Sequence, residues 1–311
     1  MNDSTRTQRT EVLTAGPAEG IAGLLGVDLP DLTGGGLPPL WHWVYLLDRP
    51  AQCDLGPDGH PVRGVVPVPP GPGLRRMWAG GRVSSLRPLL VGAEATRTSR
   101  VLRSEAKVGR SGAMTFVTVR HEVAQDGRVV VEEDQDIVYR EPTLGPAGPA
   151  PAAPTPEAPA PTPEAPAPTP EAPAPAPEAP APAAEPGSTR PAGDQWRVEV
   201  TPTLLARYSA LTYNAHRIHY DRDFARDVEG YPGLLVHGPL QALAMAEAAR
   251  RLGGGGWQPV TFAYRLLSPL FDHQGMSVSA MRDGDAIRTA VRDDQGRDTA
   301  TGQLTTGGPE G

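Results

Sequence analysis

Apolar and polar positions alternate over short runs through most of the chain. Alternation of this period marks half-buried strands. Two runs, 114–123 and 129–139, flank Asp126-Gly127, and that arrangement predicts a β-hairpin. Further strand-like runs lie at 41–47 and 95–102 in the first part of the chain, and at 196–200, 260–267, 277–282, 286–292 and 299–305 in the last part. The final three are separated by Asp283-Gly284-Asp285 and by 293–297, which carry turn residues. Helical pattern occurs over 19–25 and over a long region, 203–252. The sequence therefore predicts an α+β architecture in which a long helix is wrapped by an antiparallel sheet, once in each half.

Between the halves the pattern stops. A seven-residue unit, Thr-Pro-Glu-Ala-Pro-Ala-Pro, starts at Thr155, recurs at Thr162 and Thr169, and returns with alanine in first place at Ala176. Proline lacks the amide donor and clashes with the preceding helical turn, so this repeat is not a coiled coil. Alternating Pro and Ala favours an extended polyproline-II tether. The predicted division is a domain over 1–141, a disordered Pro/Ala/Glu-rich linker over 142–193 and a second domain over 194–311. Two similar α+β pieces in one chain predict an internal pseudo-dimer, and a further homodimer is compatible with it.

Composition narrows the function. A formal charge of −7 argues against a general nucleic-acid or membrane-surface binder. Cys53 is the single cysteine, which excludes internal disulfides and cysteine-rich zinc sites. No apolar run reaches the roughly 18 residues of a membrane span, and residues 1–11 lack the apolar core of a signal peptide. The expectation is a soluble, cytoplasmic protein.

Candidate chemistry gathers around the histidines of the second half. His216, His219 and His237 stand close together beside Tyr213, Asn214 and Arg217. Histidine exchanges protons near neutral pH, although single histidines are more often structural. His216 and His219 with His237 also have the residue types of a zinc site, but no glutamate stands between the first two, so the metalloprotease signature is absent. Gly238-Pro239 opens an Ala- and Leu-rich helical stretch, and proline suits the first turn of a helix. The Gly238 amide then sits at a helix N-terminus, where a developing oxyanion is favoured. Asp221, just before 222–228, reads as a helix cap.

These segments resemble a known family. The run Tyr208-Ser-Ala-Leu-Thr-Tyr-Asn-Ala-His-Arg-Ile-His-Tyr-Asp221, followed by Gly230-Tyr-Pro-Gly-Leu-Leu-Val-His-Gly-Pro-Leu-Gln241, resembles the MaoC-like hot-dog dehydratases. The subgroup is the one with mesaconyl-CoA (3-methylfumaryl-CoA) hydratase and the type 2 hydroxyacyl-thioester dehydratases. In the first half, Arg75-Arg-Met-Trp-Ala-Gly-Gly-Arg82, Arg110-Ser-Gly112 and Glu133-Asp-Gln-Asp-Ile-Val-Tyr-Arg140 carry the same likeness. The resemblance implies a double hot-dog fold and reversible hydration of an enoyl-CoA to a 3-hydroxyacyl-CoA, with coenzyme A as substrate carrier and no cofactor or metal. It places His219 on the family's active histidine and Asn214 where the family has an aspartate. His219 would then transfer the proton, Asn214 orient the water and Gly238 supply the oxyanion amide. His216, Arg217, His237 and Tyr213 are the expected substrate-binding residues, with Arg217 as partner for a free carboxylate on a mesaconyl-type acyl group. The first half has no such motif, so one active site per chain is expected. An acyl-CoA thioesterase using Glu229 or Glu247, and an inactive acyl-thioester binding module, are the alternatives.

Overall fold

The predicted strands pair in the order that the repeated pattern requires. In the computed structural model, which describes residues 6–71, 73–109, 112–141 and 195–307, ten strands form one antiparallel sheet. The first half supplies β1 (Arg6–Val12), β2 (Arg75–Ser85), β3 (Glu94–Gly109), β4 (Gly112–Gln125) and β5 (Arg128–Arg140). The second supplies β6 (Gln195–Val198), β7 (Val260–Leu266), β8 (Met276–Asp283), β9 (Ala286–Arg292) and β10 (Asp298–Thr306). The order across the sheet is β1-β3-β4-β5-β2-β7-β10-β9-β8-β6. Read outward from the centre, β2-β5-β4-β3-β1 repeats as β7-β10-β9-β8-β6, so each half is the same five-stranded unit. This is a double hot-dog, with its two sheets made continuous where Gly80 to Ser85 pair with Arg265 to Val260. The residues assigned to the linker, 142–193, lie outside the described residues.

The helices are α1 (Ala15–Leu25), α2 (Pro202–Leu211) and α3 (Gly238–Leu252). α3 is the long helix of the second half and packs on β8, β9 and β10. Its inner residues Ala242, Ala244, Ala246 and Ala249 are all buried, and their small side chains let the helix lie close to the sheet. In the first half α1 shares one apolar core with Val83, Ala95, Val123, Val130 and Val131. That core continues through Leu240, Leu243, Phe262 and Val291 of the second half.

Two expectations change. Residues 41–47 form no strand: Trp41–Val44 is a single 3-10 turn between Leu40 and Leu46, both in the left-handed region (φ 69° and 54°). Leu40, Trp41, Val44, Tyr45 and Leu46 are all buried, so this run is core on every side and has no strand alternation. Its backbone is tied locally, with the Leu46 amide donating to Glu11 Oε1 at 2.7 Å and the Tyr45 hydroxyl to the Thr14 carbonyl at 2.7 Å. The region 203–252 is likewise not one helix. α2 ends at Leu211, two residues before Tyr213 in the left-handed region (φ 51°), and a 3-10 turn at Arg217–His219 and a π turn at Phe224–Val228 precede α3. The interruption builds the site.

Candidate active site

α2 begins on a capped turn, with Thr201 Oγ1 accepting from the Leu204 amide at 3.1 Å and Pro202 in the first turn. Where it ends, Asn214 Oδ1 accepts the His216 amide at 3.0 Å, a turn typical of asparagine that leads the chain out of the helix. The 3-10 turn that follows sinks Ile218 and His219 into the protein. Asp221 Oδ1 accepts the Phe224 amide at 3.0 Å, the capping role expected of it.

His219 Nδ1 lies 2.7 Å from the Leu235 carbonyl oxygen. A carbonyl only accepts, so Nδ1 carries the proton and Nε2 is the free, basic nitrogen. His237 stacks on the His219 ring at 3.6 Å and holds Ser209 Oγ at 2.9 Å through Nε2. Next to His237, α3 starts at Gly238, whose amide has no acceptor within the helix. A side chain there would meet Leu266 Cδ1 at 2.1 Å, so glycine is what the close approach of β7 allows.

The first half reaches into this cluster through the loop Asp58-Gly59-His60. The Asp58 carbonyl accepts the Arg217 amide at 2.9 Å. Gly59 (φ +88°) sits so close that a Cβ would lie 1.8 Å from the Ala215 carbonyl oxygen. His60 Nδ1 is 3.1 Å from Asp58 Oδ2, and the His60 ring packs on His216 at 3.8 Å. His216 stands 5.5 Å from His219 in turn. Four imidazoles from both halves therefore touch in a row.

Burial sets their charge. It pulls His219 down to about 4, only partly offset by the bond to the Leu235 carbonyl. Burial lowers His216 strongly, with His60 and His219 adding to it, and lowers His237 well below the usual range. His60 is lowered by burial against the opposing bond from Asp58. Burial pushes the Asp58 carboxyl up, but the His60 bond and charge outweigh this and hold it below the usual range. At neutral pH the site has uncharged imidazoles beside one carboxylate.

Two cavities meet here. A cleft of about 430 Å³ is lined by Asn214, His216, His219, Gly238, Asp58 and His60, among others. An inner cavity of about 240 Å³ runs into the first half past Trp43, Glu133, His121 and Tyr139. His60, Arg76, Trp78, Asn214 and Pro239 line both.

Among the residues singled out in the sequence, His219, Asn214, Gly238 and His216 thus come together on one cleft. Tyr213 lines the inner cavity and is 53% exposed. His237 is wholly buried behind His219. Arg217 is not brought to the cleft as a carboxylate partner: its guanidinium holds Asp221 Oδ2 at 2.7 and 3.0 Å, donates to the Pro57 carbonyl at 3.1 Å and stacks over Phe224 at 4.1 Å. The i,i+4 spacing to Asp221 makes that pair local and ready-formed. Glu229 and Glu247 are ion-paired to Arg75 (2.7 Å) and Arg250 (2.8 Å), so neither is a free carboxylate base. The donors near enough to share a metal ion, among the described residues, are Asp58, His60 and His216, within 4.8 Å of one another.

The sequence profile of hydroxyacyl-thioester dehydratase type 2 matches this chain over residues 40–172 and 169–272. The chain belongs to that family. Its members include a hydroxyacyl-thioester dehydratase type 2 from Schizosaccharomyces pombe, 36% identical over 91 residues, which are 29% of this chain and 30% of that protein. A mesaconyl-C(4)-CoA hydratase from Chloroflexus aurantiacus is 41% identical over 266 residues, 85% of this chain and 81% of the relative. Among solved structures, a MaoC-like dehydratase from Phytophthora capsici superposes with a TM-score of 0.60 at 14% identity, over 99% of this chain and 98% of that one. A double hot-dog protein of Mycobacterium tuberculosis gives 0.50 at 15% identity, over 98% and 96%. This chain is a hydro-lyase of the hydroxyacyl-thioester class. Among the described residues no helix is long and apolar enough to cross a membrane.

Sequence reasoning did not single out Asp58, His60 and Arg76, which the structure brings to the wall of the cleft. A signal existed in Asp58-Gly59-His60, a carboxylate two residues from an imidazole around a glycine. It lies in a Pro/Gly-rich stretch that local pattern reads as a mere connection.

Proposed function

We propose that this dehydratase reversibly hydrates a short branched dicarboxylic enoyl-CoA, mesaconyl-CoA (3-methylfumaryl-CoA) in type, with His219 as the proton-transfer residue. The observation that carries the reading is the His219 ring, held by the Leu235 carbonyl through Nδ1 and kept neutral by burial, on the same cleft as the first amide of α3. In the hydration direction, His219 Nε2 takes a proton from water as the oxygen bonds to the β-carbon. The thioester carbonyl becomes enolate-like, and the Gly238 amide with the positive end of α3 stabilises that oxygen. The proton then returns from His219 to the α-carbon. Asn214 cannot accept a proton. With one lone pair of Oδ1 taken by the His216 amide, its Nδ2 hydrogens remain to hold the water. His60, oriented by Asp58 and packed on His216, lines the cleft from the first half and helps to shape it around the substrate. No metal or cofactor takes part in this scheme, and coenzyme A carries the acyl group. The dicarboxylic substrate is supported by the 41% identity to a mesaconyl-C(4)-CoA hydratase.

Mass changes of one water on a panel of enoyl-CoA and 3-hydroxyacyl-CoA esters test the reading. Wild type converts mesaconyl-CoA faster than crotonyl-CoA, His219→Ala loses about 10³-fold in kcat, and Asn214→Ala loses about 10- to 100-fold. Free coenzyme A release without any gain or loss of water, or full activity in His219→Ala, would sink it.

A further inference from the structure

The inner cavity sets buried polar groups among its apolar lining. The carboxylate of Glu133 lies within it, held by His42 Nε2 at 2.9 Å and by Trp43 Nε1 at 3.0 Å. His121 bridges Ser99 (2.7 Å) and Gln135 (3.0 Å) beside it. These polar groups satisfy one another. Two others are left with a hydrogen to give: the hydroxyls of Tyr139 and Tyr208 line the cavity, each residue 1% exposed, and neither has an acceptor among the described residues, Tyr139 having only the guanidinium of Arg76 beside it. A buried donor left unpaired is costly, and such a group calls for a ligand acceptor.

Arg76 stands beside one of them. It pairs with Tyr139 across β2 and β5, so both side chains leave the sheet on the same face. Arg75, its neighbour, is taken by Glu229, but no carboxylate lies within ion-pair reach of Arg76 among the described residues. Arg76 also lines the wall common to the cleft and the inner cavity, together with His60 and Asn214. A half-buried guanidinium without a carboxylate partner, beside a buried phenol whose hydroxyl hydrogen has no acceptor, on the wall of the cleft, is the donor set that a carboxylate requires.

We infer that Arg76 and the Tyr139 hydroxyl form a subsite for the free carboxylate of a dicarboxylic acyl-CoA, an inference that rests on the proposal that the cleft binds acyl-CoA. The Tyr208 hydroxyl is a second donor to the same cavity. Burial raises both phenols above their usual range, so each stays protonated and able to donate. Because Arg76 shares its wall with Asn214, only a short acyl group places its β-carbon at His219 and its carboxylate at Arg76 together. Arg76 thus holds the role that sequence reasoning gave to Arg217.

The test is equilibrium binding of two unreactive esters, methylsuccinyl-CoA and butyryl-CoA, to the full chain. The readout is the ratio of the two affinities. Wild type favours the carboxylated ester, and Arg76→Gln lowers that ratio about 30- to 100-fold, as expected for a charge-assisted pair. Arg76→Lys recovers part of it, and Tyr139→Phe lowers it several-fold. Equal loss for both esters would make Arg76 a coenzyme A contact or a structural residue and overturn the inference. So would a collapse of the ratio in Arg140→Gln but not in Arg76→Gln, since Arg140 also lines the cleft with a buried, unpartnered Nε. Should Arg76→Gln fail to fold, Arg76→Lys and Tyr139→Phe must still lower the ratio. Hydration is scored separately by mass. A lowered ratio without turnover of any ester keeps the subsite and removes the hydratase, and turnover without preference for the carboxylated ester does the reverse.

Discussion

At the residue scale the site is governed by one conflict: it needs a base, and it buries that base. A histidine of ordinary pKa near 6.5 would be part-protonated in mildly acidic solution, whereas burial brings His219 to about 4. The imidazole therefore stays neutral, with Nε2 free to accept a proton, well below pH 6.5. The acid limb of kcat/KM is expected below pH 5, with a flat profile from 7.5 to 5.5 in initial rates taken while the protein is folded. A limb near 6.5 would show that the active imidazole is not the buried one. The same burial costs stability in acid. Between about 4 and 6.5 the unfolded chain binds a proton at residue 219 that the folded chain does not, so acid favours unfolding. The stability is complete above 6.5 and is lost as pH falls toward 4, by up to roughly 3 kcal/mol for His219 alone. His60, His216 and His237 are shifted in the same direction. Thermal melts should fall steeply from pH 7 to 5, and His219→Gln should flatten that slope. A slope unchanged by the substitution would mean that other groups carry it.

At the scale of elements, the side chains proposed for catalysis are presented by the places where helices are interrupted. Just past the end of α2, Tyr213 takes the left-handed region, Asn214 turns the chain, and α3 starts afresh at Gly238. Much of this was legible. Strands β3 to β10 follow from alternation and Asp-Gly turns, and the histidine-bearing segment stands out because three imidazoles recur within a short span. The polar edge strand β1 (Arg-Thr-Gln-Arg-Thr-Glu-Val) has no apolar face to betray it, since its main-chain pairing with β3 alone makes it a strand. Residues 41–47 look like a strand because buried runs of either kind are equally apolar. The loop at Asp58–His60 gains its meaning only from a contact with Ala215 and Arg217, far away in sequence. Gly59 tests that contact. Alanine there would require a left-handed backbone and place Cβ against the Ala215 carbonyl. Gly59→Ala is expected to cost about 2–4 kcal/mol by the mechanisms of backbone strain and overpacking, read as a lower Tm, and to reduce kcat more than a substitution at exposed Gly64. An unchanged Tm and rate would mean that the loop does not press on the site as described.

At the scale of the whole molecule, the two halves have the same strand order but divide the labour. The connection from β1 to β2 and that from β6 to β7 occupy equivalent places and are nearly equal in length. The second half uses its connection to carry α2, the histidines and α3. The first uses its own for α1 and for a loop that delivers His60 across to the other half's site. The proposed site is thus lined by both halves. The two are held by the β2–β7 ladder, by Trp78 Nε1 donating to the Tyr264 hydroxyl at 2.8 Å, by Ser84 and Thr261 hydroxyls at 3.0 Å, and by the Arg75–Glu229 pair. Beneath these lies one shared apolar core. A core that crosses the boundary cannot be completed by either half alone, and each half by itself would expose an open sheet edge. A covalent link adds effective concentration to such an association, while the seam contacts named above all lie among residues 6–141 and 195–307. Residues 1–141 and 194–311, co-expressed as two chains, should therefore copurify and hydrate the same ester as the intact protein. Each half expressed singly should be insoluble or inactive. Failure of the pair to associate, with the intact chain active, would show that residues 142–193 do more than tether. Activity from residues 194–311 alone would remove His60, Asp58 and Arg76 from the site.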